Sequence, residues 1–165
     1  MKQFKIYLVI FFILAASRLI PHPPNFTPLI ALSFYIPIFL GLRSIPFLII
    51  SFVITDIIIG YHNFTHWTWG AVFLISLFSS FFSKNFIFRI SGALSSSIIF
   101  FIITNFGVWI SGMYEYNIQG LIKCFVLAIP FFTNSFFATI LFSLLIELIY
   151  KLSKSKNNNR KIIKI

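Results

Sequence analysis

Six apolar runs, at about residues 4–20, 27–42, 45–61, 67–83, 87–110 and 121–150, constrain this chain more than any other feature. A predominantly apolar stretch of roughly 17–25 residues matches the hydrocarbon thickness of a bilayer when it is helical. Inside lipid every backbone N–H and C=O must find a partner within the protein, so spanning segments are helices or strands of a closed barrel. Runs of this length point to helices. The expected fold is therefore all-α: a polytopic membrane helix bundle of about six transmembrane helices over residues 1–150, followed by a basic tail over 151–165. The last run exceeds a single crossing, which implies tilt, a kink or extension beyond the bilayer. Composition agrees, since 10% of the 165 residues are charged against about 25% in a soluble domain. A single cysteine, Cys124, excludes an intrachain disulfide and any metal site built from thiolates alone.

The net charge of +10 invites a nucleic-acid reading until the basic residues are placed along the chain. With the N-terminus inside, eleven of the thirteen Lys and Arg fall in cytoplasmic segments, and only Arg18 and Lys123 fall outside. That bias follows the positive-inside rule and puts both termini in the cytoplasm. The chain is thus expected in the cell inner (cytoplasmic) membrane as a multi-pass protein. The tail "KLSKSKNNNRKIIKI" reads as a frayed, basic topology anchor beside anionic membrane lipid. It lacks the aromatic or glycine interleaving of a nucleic-acid binder, so no nucleic-acid partner is expected. Lys2 and Lys5 followed by "IYLVIFFILAAS" have the outline of a signal peptide, with Ala15 and Ser17 as small residues near its end. Because the run leads directly into a multispanning protein, an uncleaved anchor is expected.

The polar residues concentrate in the three outer connections. Between the first two runs lies "RLIPHPPNFTP", whose Pro21, Pro23, Pro24 and Pro28 remove backbone donors and stop a helix from continuing. The next outer connection is "GYHNFTHWTWG" and the third is "NFGVWISGMYEYN". All three Trp and all three His fall on this side, whereas a lipid-interface belt would place Trp at both faces. Within the runs, Asp56 lies about 7 Å short of the end of the third near Tyr61, where a carboxylate needs a partner, water or a proton. A pair with Arg18 that fixes helix packing is the structural alternative to a functional role. Asn105 and Trp109, four apart, share a face near the outer end of the fifth run. In "AIPFFTN", Pro130 strips the Val126 carbonyl of its helical donor four residues before Asn134. The strip "SGALSSS" reads as a close-packing helix face, and Glu147 reads as the i,i+4 partner of Lys151.

Arg-x-x-Pro-His-Pro-Pro-Asn-Phe after the first run, the late Asp of the third, "TNFGVW" and "AIPFFTN" resemble a small uncharacterised family of bacterial integral membrane proteins. The resemblance covers nearly the whole chain outside the tail and implies no activity. Where that family's pattern continues with a Gly-Asp pair, this chain has Ala138 and Thr139. In size and topology it also resembles the substrate-binding S components of energy-coupling factor vitamin transporters, which hold a ligand under outer loops and dock on coupling and ATPase subunits. Those components often carry an Ala-x-x-x-Ala face on the first helix; here Ala15 and Ala16 are adjacent.

Three functions compete at this point. In the first, the chain is a solute-binding transport subunit that captures a small-molecule ligand at its outer face. Arg18, His22, Asn25, Asp56, Asn105 and Asn134 would orient its polar groups, and Trp67, Trp69, Trp109 or Tyr114 would stack on a ring. No nucleotide-binding motif is present, so coupling and ATPase subunits or a gradient would supply the energy. In the second, the outer polar cluster is a protein interface and the chain is a structural or scaffold membrane protein of the cell-envelope machinery. In the third, His22, His62 and His66 with Asp56 hold a metal, although none of them forms a recognised ligand spacing. The favoured reading is the first, with no enzymatic activity, no cofactor and no metal.

Overall fold

The computed structural model describes residues 2–61 and 63–162, and over these the chain is helical with no strand. Helices occupy each of the six apolar runs: α1 (Lys2–Leu19), α2 (Leu29–Leu40), α3 (Ile45–Ile59), α4 (Thr65–Phe78), α5 (Phe86–Val108) and α6 (Ile118–Ile162). Short 3-10 turns at Leu42–Ser44 and Ser79–Phe82 lead into α3 and out of α4. Three helical stretches are long and apolar enough to cross a membrane, namely Leu42–Ile59, Phe86–Met113 and Ile118–Ser155. The apolar helices Ile6–Leu19 and Leu29–Leu40 are shorter. Helix α6 continues past residue 150, through the described part of the expected tail, to Ile162, because nothing in "KLSKSKNNNRK" stops a helix as Pro or Gly would.

Side-chain pairs give the direction of each helix. Tyr7 stacks on Phe47 at 4.3 Å and Arg18 reaches Asp56, so α1 and α3 run parallel. Arg89 meets Glu147 and Phe101 meets Phe132 at 4.7 Å, so α5 and α6 are antiparallel. Phe39 stacks on Tyr150 at 4.6 Å, which brings the end of α2 to the same end of the bundle as the start of α5. Two apolar clusters fill the interior between these contacts. One joins Leu14, Leu29, Ile36, Leu48, Phe52 and Val72; the other joins Ile30, Phe34, Tyr35, Ile75 and Ala93.

The "SGALSSS" strip packs closely, as its small side chains dictate. Gly92, Ala93, Ser96 and Ser97 are buried, and a Cβ on Gly92 would lie 2.5 Å from the Phe34 ring. Without a hydrophobic drive between helices in lipid, such contact is what holds neighbouring helices together. Farther along α5, a Cβ on Gly107 would lie 2.2 Å from the Trp67 ring. Glu147 does not pair with Lys151. Its partner is Arg89, which donates through Nε at 2.5 Å and Nη2 at 2.7 Å. A fork of two parallel bonds from a buried guanidinium outcompetes a flexible, exposed lysine one turn away.

The proline stretch becomes a compact turn, exposed from Pro21 to Asn25 and buried from Pro28 onward. Phe26 N–H donates to the Pro23 carbonyl, with Pro24 and Asn25 between them and Asn25 at φ 62°. This is the type II pattern, with Pro at the second position and a residue tolerant of positive φ at the third. Because α2 has only 12 residues, about 18 Å of helix, it begins well inside the bundle. Leu29 packs beside Val72, two turns into α4, and the Phe26 ring sits 6.3 Å from Phe142.

Candidate ligand-binding site

Arg18 and Asp56 form the charged centre of the structure. Asp56 is 5% exposed and both its oxygens are bonded. Oδ1 accepts from Arg18 Nη2, and Oδ2 accepts from the Trp69 indole N–H at 2.6 Å. Arg18 also donates through Nη1 to Thr55 Oγ1 at 2.6 Å and lies 4.5 Å above the Phe52 ring. Thr55 passes its own proton to the Phe52 carbonyl. The site thereby ties α1, α3 and α4 together, and its two opposite charges cancel. The structural alternative for Asp56, a pair with Arg18, is what the geometry shows. Arg18 thereby commits one N–H from each of its two Nη atoms to α3.

Beside this pair lies a cavity of about 420 Å³, with walls from all six helices and from the proline turn. Of the expected site residues, Arg18, His22, Asn25, Asp56 and Asn105 line it. Trp67, Trp69, Trp109, Tyr114 and Asn134 do not. Trp69 stands behind Asp56 as its hydrogen-bond donor. Trp67 is pressed onto Gly107 and makes an edge contact with Phe106. Trp109 opens a π-helical segment, Trp109–Met113, and donates its indole N–H to the Glu115 carbonyl at 3.0 Å. Asn134 donates to the Pro24 carbonyl at 3.0 Å, which straps the proline turn to α6. The Trp residues are thus scaffold around the cavity, and Asn134 fixes its cover.

Much of the lining escaped the sequence reading. The hydroxyls of Thr104 and Ser135 face the cavity from α5 and α6, and so does Ser97 from the small-residue strip. Phe100, Phe101, Phe131 and Phe132 supply ring faces from the same two helices. Twenty-four Phe along the chain concealed which of them point inward. A period-3.6 comparison of α5 with α6 would have aligned Phe101 and Thr104 on one face.

The two described histidines make separate contacts. His22 Nδ1 sits 2.8 Å from the Pro23 carbonyl at the cavity edge. His66 is exposed and its ring is 5.7 Å from that of Trp67, and His62 lies outside the described residues. Among the described residues no group of three or more His, Cys, Asp or Glu side chains is placed to hold a metal ion.

Apolar faces turned outward, two buried ion pairs within and three helices long and apolar enough to cross a bilayer define the class: an all-helical bundle with the construction of a membrane protein. More particularly, the chain belongs to the family described as a family of unknown function, DUF6580, whose profile matches residues 1–160. No curated protein and no solved structure matches it. The expectation of an uncharacterised family is met, and membership brings no activity with it.

Proposed function

We propose that this protein is a solute-binding subunit of the inner membrane that captures a small molecule in its internal cavity. One observation carries the reading: six helices and the proline turn line a partly open cavity of about 420 Å³ beside a neutralised ion pair. A bundle built only to scaffold would gain by filling such a space, since voids forfeit packing contacts. Ligand sites are concave, mostly apolar and set with a few convergent polar groups. Ring faces from α5 and α6, with Asn105, Thr104 and Ser135 among them, fit that description.

In this reading all six helices cross the membrane, and the shorter α2 does so together with the proline turn that extends it. Both termini are cytoplasmic, so the turn and the cavity belong to the outer half. Solute enters from outside, and no chemistry is performed on it. Energy comes from coupling and ATPase subunits, as in the vitamin-uptake components that the topology resembles. The test is native mass spectrometry of the mildly solubilised protein. A small molecule retained by the wild type and lost when Asn105→Ala and Phe101→Ala are combined supports the reading. A wild-type protein that carries nothing but lipid and detergent overturns it.

A further inference from the structure

A second hollow lies between the start of α5 and the outgoing part of α6, at the end of the bundle away from the first cavity. It is an open groove of about 820 Å³. Phe86, the first residue of α5, forms one side. On α6 the lining follows one stripe at helical spacing, with Leu144 and Leu148 first and then Lys151, Lys154 and Ser155. From Leu144 to Lys154 the groove thus changes from apolar to basic over about 15 Å of helix. Phe86, Leu144 and Leu148 are each half exposed, so their apolar surface is open along the groove.

The positive charge here is not spent inside the protein. Arg89 and Glu147 also line the groove, but they hold each other and cancel. Asp56 is bound to Arg18, and Glu115 lies in the connection at the other end of α5 and α6. Among the described residues no carboxylate is paired with Lys151 or Lys154. The amino end of α5, where Phe86 begins the helix, adds the positive end of a helix dipole.

We propose that this groove holds an anionic phospholipid, with the headgroup phosphate on Lys151 and Lys154 and an acyl chain against Phe86, Leu144 and Leu148. The proposal rests on the membrane construction of the chain and is independent of the solute cavity. Apolar walls alone would take any lipid; two unpaired ammonium groups at one end of them select a negative headgroup. Basic pockets between helices at the cytoplasmic side of a membrane are a recurring setting for such headgroups. A zwitterionic lipid carries an ammonium of its own and loses the net attraction. A soluble phosphate would leave the apolar length of the groove in water.

Lipid titrations of the full chain in one mild detergent, read by native mass spectrometry, test this. Phosphatidylglycerol and phosphatidylethanolamine with the same acyl chains are the paired probes, and glycerol 3-phosphate is the soluble one. Phosphatidylglycerol is expected to bind roughly tenfold tighter than phosphatidylethanolamine, through the two lysines. Lys151→Gln combined with Lys154→Gln should abolish that preference and leave phosphatidylethanolamine binding unchanged. Arg43→Gln combined with Lys84→Gln removes as much charge from exposed sites at the same end that do not line the groove. That control should change phosphatidylglycerol binding by less than about twofold, because exposed charges at a distance are screened. Equal binding of the two lipids by the wild type overturns the selection of an anionic lipid. An equal loss in the two double variants, or none in either, overturns the groove as its site. Displacement of phosphatidylglycerol by glycerol 3-phosphate would make the occupant a soluble phosphate and overturn the lipid. The ranking of lipids is read on the wild-type protein, so it decides the selection even where a variant does not fold.

Discussion

Two of the three acidic residues in this chain, Asp56 and Glu147, are consumed in buried pairs with Arg18 and Arg89. The third, Glu115, sits in the connection between α5 and α6 and accepts from Asn117. In a low-dielectric interior, removing one partner leaves the other charge without compensation, which costs about 3–5 kcal/mol. Asp56→Ala is therefore expected to lower the unfolding temperature sharply, because Arg18 and the Trp69 indole lose their acceptor together. Lys84→Ala, at an exposed site, should change it little. Circular-dichroism melts of the two purified variants in one detergent check this, and equal melts would show that the Arg18–Asp56 pair contributes no net stability. Arg89→Gln should be nearly as damaging as Asp56→Ala, since Glu147 is 6% exposed and both of its oxygens depend on that guanidinium.

Helix α5 is the wall against which α2, α4 and α6 pack, and its glycines set the distance. At Gly107 the Trp67 ring occupies the place of a side chain, so Gly107→Ala must push α4 away or turn the ring. Overpacking of this kind costs about 1–3 kcal/mol, and a drop in unfolding temperature with a shift in Trp fluorescence is the expected signature. An unchanged melt would mean that α4 gives way freely. The proline turn is an element of a different kind, held by one internal hydrogen bond and by the Asn134 strap. Pro23 and Pro24 keep it ordered before any solute arrives. Changing both to Gly should leave the helix content intact, since no helix is altered. Solute retention should fall by roughly fivefold or more, because each freed residue costs on the order of 1 kcal/mol to re-order. Binding measured beside the melt separates the two effects: a loss of stability in step with binding would identify the turn as a structural joint and not a cover.

At the scale of the molecule, charge and cavity point the same way. Arg43, Lys84, Arg89, Lys151 and Lys154 lie toward the end where α5 begins and α6 continues past Glu147, and the cavity with its proline turn lies toward the other end. A membrane would therefore hold the cavity on the side away from the basic tail. The 45 residues of α6 make about 67 Å of helix, roughly twice the hydrocarbon thickness of a bilayer. Cysteine labelling in a Cys124→Ser background checks the arrangement. Asn63→Cys is expected to react with an impermeant reagent from outside, and Lys156→Cys only after the membrane is opened. External labelling at position 156 would invert the orientation and move the cavity to the cytoplasmic half.

Helix class and helix placement were legible in the chain because they are local. Apolar length decides which segments become helices in lipid, Pro and Gly decide where they stop, and all six helices lie where the runs put them. Arg18, Asp56 and Asn105 stood out in the chain because a polar group in or beside an apolar run must be satisfied by something, and together with His22 and Asn25 they line the cavity. Which partner satisfies it is a different matter. Glu147 chose Arg89 over Lys151, Asn134 reached a carbonyl 110 residues away in the proline turn, and Trp69 bonded Asp56 instead of facing a ligand. Those choices depend on how six nearly uniform apolar cylinders rotate about their axes and slide along one another. Period and composition say little about rotation when every face of a helix is greasy. Only the packing of Gly92 on Phe34 and Gly107 on Trp67, with the two buried ion pairs, fixes that rotation, and with it the hydroxyls of Thr104 and Ser135 that end up facing the cavity.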